Sequence, residues 1–207
     1  MAYGFLEIAA TADVRAVQAE MGSARSWGDA DRAFDRFSPG EAAFVSARDS
    51  FFMASVSQSG WPYVQHRGGP PGFVKIIDDR TLALADYRGN RQYISVGNFR
   101  GDDRAALIFV DYAARRRLKM FVRVEAVALD ADPELAARVA DAGYKAKAER
   151  ILRLRLAAFD WNCPQHILPR FTESEIADAV RPVTERLEAL EKENAELRAQ
   201  IAGRKGS

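Results

Sequence analysis

The sequence predicts a mainly β (α+β) fold: an antiparallel barrel of six or so strands, with peripheral helices and a coiled-coil-like helix at its C-terminal end. Three observations predict it. Short apolar segments divided by Gly, Pro and Asp turns fill 51–129 and return near 151. Few helical stretches separate them, so hairpins rather than βαβ units join the strands. Beyond Thr172 the pattern changes to apolar positions at helical spacing.

Residues 1–50 read as a helical lead-in. Thr11 caps a helix through Val14, Val17 and Met21, and 27–37 is loosely helical. Ser38-Pro39-Gly40-Glu41 has the form of a capping box, with Pro at the first helical position. Residues 51–171 form the β domain. Phe51–Ser57 and Trp61–His66 pair across the turn Gln58-Ser59-Gly60. Strands over 73–77 and 81–86 turn at Asp78-Asp79-Arg80, and a short helix is expected over 90–96. The run Ala105–Tyr112 (AALIFVDY) is nearly continuously apolar and reads as a strand buried on both faces. Leu118, Met120, Val122 and Val124 alternate with Lys119, Phe121, Arg123 and Glu125, a half-buried strand. Pro133 opens a helix, and Ile151–Leu156 is the last strand.

Residues 172–207 form the C-terminal helix. Thr172 and Glu175 make a second capping box. Val183, Leu187, Leu190, Asn194, Leu197 and Ile201 are spaced 4, 3, 4, 3, 4, with Asn194 at an a position. Arg186 and Glu193 at g would face Glu191 and Arg198 at e of a parallel partner. The same stripe also suits a solvated amphipathic helix. Pro182 is expected to kink or break the helix just before the seam.

The chain of 207 residues suits one domain with an appendage. Thirty basic residues face 29 acidic ones, so no global field favours nucleic acid or a membrane surface. No apolar run approaches the ~20 residues that span a bilayer. The segment MAYGFLEIAA lacks the basic n-region and long apolar h-region of a signal peptide. A single cysteine, Cys163, excludes an internal disulfide framework and a Cys-based zinc cluster. The expected compartment is a reducing cytoplasm.

Chemistry concentrates between Trp61 and Phe99. His66, Arg67, Lys75, Arg88 and Arg91 bring cationic or switchable groups to strand edges, beside a Gly68-Gly69-Pro70-Pro71-Gly72 loop. The residues leave two readings open: a surface for a phosphate on a flat, partly apolar ligand, and a strand meander with solvated arginines. Arg115-Arg116-Arg117 is a strand end or a wall of an anion site. Trp161-Asn162-Cys163-Pro164-Gln165-His166 is a rigid packing loop or a functional one. Neither a Walker loop nor a GxGxxG after a strand is present.

The segments WPYVQHRGGPPGF, ADYRGNRQYIS, RRRLK and DWNCPQHILPRF occur in this order from Trp61 to Phe171. Together they resemble the pyridoxamine 5′-phosphate oxidase-related flavoproteins, a group of FMN-binding split β-barrels. The resemblance implies a split barrel, FMN as cofactor, and a homodimer with flavin sites at the subunit interface. It places Arg67 and Lys75 on strands near the flavin and phosphate, and Asn90, Arg91 and Gln92 at the phosphate-gripping turn. Gln92 stands where the oxidase carries a lysine, and Arg88 is placed to compensate. Arg117 matches a glutamine that the oxidase contributes from its other subunit. Trp161, with Gln165 or His166, falls near the segment that reaches the partner's flavin. The oxidase's arginine- and histidine-bearing C-terminal segment for its vitamin substrate is replaced here by Pro169-Arg170-Phe171 and the long helix. The expected activity is therefore an oxidoreductase passing electrons from a reduced nicotinamide cofactor through flavin to a small acceptor. The alternatives are a non-catalytic flavin-binding or flavin-sensing protein and a haem-binding split barrel.

Overall fold

A computed structural model describes residues 4–23 and 35–205. Most of the loosely helical stretch expected over 27–37 lies outside these residues, and its described end, 35–37, is not helical. The chain divides into two compact units, Met1–Asp111 with Arg115–Ile167, and Tyr112–Ala114 with Leu168–Ser207.

Among the described residues of the first unit, α1 (Phe5–Ala9), α2 (Ala12–Glu20) and α3 (Pro39–Ser46) precede the strands. The capping box at Ser38 forms as the sequence predicts. Gly40 N–H donates to Ser38 Oγ at 3.2 Å, and Glu41 Oε2 accepts from Ser38 N–H at 3.0 Å. The strands are β1 (Ser50–Val56), β2 (Pro62–Gly68), β3 (Lys75–Asp78), β4 (Thr81–Tyr87), β5 (Arg104–Asp111), β6 (Arg116–Val127) and β7 (Ala148–Asn162). Two helices interrupt them, α4 (Ile94–Gly101) and α5 (Pro133–Val139).

All seven strands join one antiparallel sheet in the order β2-β1-β5-β6-β7-β4-β3, leaving β2 and β3 at its edges. Period-two burial aims alternate residues at one core. Phe51 and Met53 of β1, Leu107 and Phe109 of β5, and Leu118 and Met120 of β6 meet Leu152, Leu154 and Phe159 of β7 there. The last strand is longer than 151–156 because β6 and β4 pair along its whole length.

The doubly buried strand is β4, not β5. In β5 only Ala105, Leu107 and Phe109 are buried, and the residues between them stay half-exposed. In β4, Leu82 and Leu84 face the main core, while Ala83 and Ala85 join Leu135, Val139 and Ile151 in a second cluster under α5. The small alanines let that helix close on the strand. A hydrophobic run shows how apolar a strand is; which strand a helix covers is decided by tertiary packing.

The second unit is dominated by α6 (Glu173–Lys205). Thr172 N–H donates to Glu175 Oε2 at 2.8 Å, and Glu175 N–H to Thr172 Oγ1 at 3.2 Å. Pro182 lies inside the helix and does not end it. Proline removes one backbone donor, and on a solvated helix water can satisfy the freed carbonyl. Among the described residues no helix is long and apolar enough to cross a membrane.

Candidate functional site

Period-two geometry sets the site's first wall. On β2, Tyr63, Gln65 and Arg67 turn to the half-buried side, while Val64 and His66 turn out. The second wall is the end of β4 and the loop beyond it. Together they enclose a cavity of about 310 Å³ lined by Arg67, Asp86, Arg88, Asn90, Arg91, Gln92 and the start of α4.

The loop is held by local chemistry. Gln92 N–H donates to Asn90 Oδ1 at 3.1 Å, and Asn90 Nδ2 donates to Gln92 Oε1 at 3.2 Å. Arg91 and Tyr93 take left-handed backbone conformations, with φ of 64° and 54°. These turns delay the helix expected over 90–96, which begins only at Ile94. Tyr93 offers α4 no side-chain cap. The first turn of α4 lines the cavity without a side-chain cap on its N–H groups, at the positive end of the helix dipole.

Two carboxylates organise the cations. Asp86, 5% exposed, pairs with Arg67 and lies 3.4 Å from Arg150. Glu149 accepts from Arg88 at 3.1 Å, from Arg150 at 3.3 Å and from the Tyr93 hydroxyl at 3.2 Å. The Arg150 guanidinium also sits over the Tyr93 ring, 5.1 Å from its centroid. With Arg91, four guanidinium groups meet two carboxylates, leaving two positive charges in excess. Ser95 is 3% exposed, and its Oγ has no hydrogen-bond partner among the described residues; Arg67 Nε is likewise unpaired. Such groups cost free energy unless something answers them. Tyr87 completes the wall. Burial pushes its phenol up from the ordinary value, helped by Asp141 and Tyr144, so it stays a hydrogen-bond donor.

Arg67, Arg88, Asn90, Arg91 and Gln92 are thus gathered in one pocket. His66 borders it, but its ring turns away and packs edge-on against Phe52, with centroids 5.4 Å apart. Lys75 on β3 does not line the cavity. Arg117 lies on β6 opposite Val110 and Asn162. Trp161 is tied inward: its indole N–H donates to Glu41 at 2.7 Å, its ring meets Phe44 edge-on at 4.7 Å, and Arg116 covers its face. Gln165 and His166 are exposed on the turn after β7. Sequence reasoning missed Asp86, Ser95, Glu149 and Arg150. The alternation of β2 does carry one signal, since the neighbours His66 and Arg67 cannot face the same side.

The glycines also find a use inside the chain. A Cβ on Gly69 would lie 2.7 Å from Phe73 Cβ and Cγ, so this glycine makes room for a core phenylalanine.

The chain is similar to the crystal structure of HupZ from Group A Streptococcus, with 14% identity, a TM-score of 0.50, and coverage of 65% of this chain and all of that one. A histidine-to-alanine variant of HupZ gives 13% identity, the same TM-score, and coverage of 60% and 98%. These likenesses show the fold alone. An FMN-binding protein from Syntrophomonas wolfei is more distant, with a TM-score of 0.44 and 13% identity over 73% of this chain and 95% of that one. No curated protein sequence matches the chain. The family described as pyridoxamine 5′-phosphate oxidase matches residues 38–161, more than half of the chain and all of its sheet but the last residue of β7. The chain belongs to the pyridoxamine 5′-phosphate oxidase family.

Proposed function

We propose that the chain binds FMN by its phosphate in the Arg67–Arg91 pocket and works as a flavin-dependent oxidoreductase. The observation that carries this is a convergence: two excess guanidinium charges, an unpartnered Ser95 hydroxyl and an uncapped helix start share one cavity. That donor set fits a phosphate dianion. Arg88 and Arg91 hold the phosphate, Ser95 donates its hydroxyl hydrogen, and Asp86 and Glu149 fix the guanidinium planes of Arg67, Arg88 and Arg150. Buried Asp86 and half-buried Glu149 limit the site's charge to what one phosphate needs.

Bound FMN supplies hydride and single-electron chemistry, and the protein supplies binding and orientation. A reduced nicotinamide cofactor is the proposed donor and a small electrophile the acceptor. The site works in a homodimer. Phe52, Val56 and Val64 leave one sheet face apolar and exposed, with Trp61 73% exposed beside it. Arg117, Gln165 and His166 lie outside their own chain's pocket and are available to a partner's flavin. The haem reading has less support, because His66 packs on Phe52 and His166 sits on an exposed turn.

The test is an absorbance spectrum of freshly purified protein with the released cofactor weighed by mass spectrometry. Flavin bands near ~375 and ~450 nm with the mass of FMN support binding. Bleaching by reduced nicotinamide cofactor under anaerobic conditions then supports the oxidoreductase. Flavin that stays oxidised points to the sensing role, and a Soret band to haem.

A further inference from the structure

The C-terminal helix α6 carries an ordered apolar stripe. Because α6 continues through Pro182, the seam from Val183 to Ile201 extends backward to Val180 and Ile176 at the same 4, 3 spacing. Ile176 takes a d position and Val180 an a position. The stripe then covers about three and a half heptads, enough for two-stranded pairing. Every residue of α6 whose side chain is described is exposed, and the apolar seam positions are 43% to 68% exposed. Pro182 falls at c, on the side away from the seam. A long helix with one uncovered apolar stripe calls for a partner.

We infer that α6 pairs in parallel with α6 of a second copy of this chain. Charge supports the match. Arg186 at g meets Glu191 at e of the other copy, and Glu193 at g meets Arg198 at e, all attractive. Charge alone does not choose the orientation. An antiparallel pair in which each a residue faces a d residue places Arg186 against Glu193 and Glu191 against Arg198, which is also attractive. Asn194 decides. In the parallel register it meets Asn194 of the second copy and their amides hydrogen-bond. In the antiparallel register it is buried against Leu190, leaving its amide unanswered. The seam therefore encodes identity, direction and register through one polar residue.

The test uses the full-length chain with Cys163→Ser, so that one introduced thiol reports. Leu190→Cys places thiols at facing d positions of a parallel pair, within disulfide reach. Mild oxidation should then give about ten-fold more covalent dimer than Glu188→Cys, which points outward. Adding the exchange Arg186→Glu with Glu193→Arg makes both parallel contacts repulsive and keeps both antiparallel contacts attractive, so the Leu190→Cys crosslink should be lost. Leu197→Cys repeats the experiment at the next d position if the first variant does not fold. A yield at 190 no higher than at 188, or one unchanged by the charge exchange, overturns the inference. Neither result depends on flavin, so the proposal about FMN stands or falls separately.

Discussion

The Trp161 indole N–H donates to Glu41 Oε1 at 2.7 Å, across 120 residues of sequence. Glu41 also closes the capping box of α3, so one carboxylate fastens the end of β7 to the helix that precedes the sheet. Trp161→Phe keeps most of the ring packing and removes the donor. It should lower stability by about 1–3 kcal/mol, the cost of leaving a buried acceptor unanswered. Urea unfolding of both proteins measures this, and equal midpoints would show the bond to be dispensable.

The same carboxylate predicts an acid response. Burial alone would raise the Glu41 carboxyl, but hydrogen bonds from Ser38 and Trp161 outweigh it and hold the group below its ordinary 4.5. A lowered folded value means that the unfolded chain binds more protons in this range. The contribution is complete above pH 4.5 and is lost as pH falls through the folded value. Glu41→Gln should flatten that part of the acid unfolding curve while costing stability at neutral pH. An unchanged acid slope would rule the linkage out.

Half-buried Asp102 offers a direct titration. Hydrogen bonds from the Arg104 side chain and backbone hold its carboxyl at about 2. Arg104→Ala should move it up toward the ordinary 3.8, as followed by carboxyl-carbon NMR. A carboxyl that stays near its starting value would assign the shift to other groups.

In the proposed phosphate pocket, Ser95 and Arg91 separate binding from stability. Ser95→Ala removes a hydroxyl that has no partner among the described residues, so the flavin-free protein should unfold at an unchanged or slightly higher denaturant concentration. Its affinity for FMN should fall about ten-fold. Arg91→Ala should weaken FMN more than Arg155→Ala, because Arg155 does not line the pocket. Equal losses in a flavin titration would move the phosphate elsewhere.

Gly69→Ala tests the close approach to Phe73. Phe73 is 2% exposed and stacks on Phe51, with ring centroids 5.9 Å apart, so it has little room to yield. The added methyl should cost about 1–3 kcal/mol as overpacking. Thermal unfolding at wild-type temperature would mean that the loop shifts freely.

The sequence carried the elements better than the contacts. Ser38 with Glu41 and Thr172 with Glu175 are legible because a capping box is local. The alternation from Leu118 to Val124 is legible because one face of β6 meets one core. The start of α4 was not, because Arg91 and Tyr93 hold left-handed backbone without being glycine. The cations of the pocket were legible as a cluster near Arg88, whereas Asp86 and Glu149 become its counter-ions only through the pairing of β4 with β7. The burial of β4 likewise depends on α5, which arrives some fifty residues later in the chain.

That double burial has a consequence for motion. β4 takes part in both hydrophobic clusters, so separating either layer disturbs it. Its backbone amides should be among the slowest in the first unit to exchange with deuterium, opening only when the whole unit does. Asp86 and Arg88 stand at the end of this strand, and the loop of the proposed phosphate pocket departs from it. The loop's turns can fluctuate while their anchor stays fixed, which should keep the groups of the proposed pocket in register through local breathing of the edge strands.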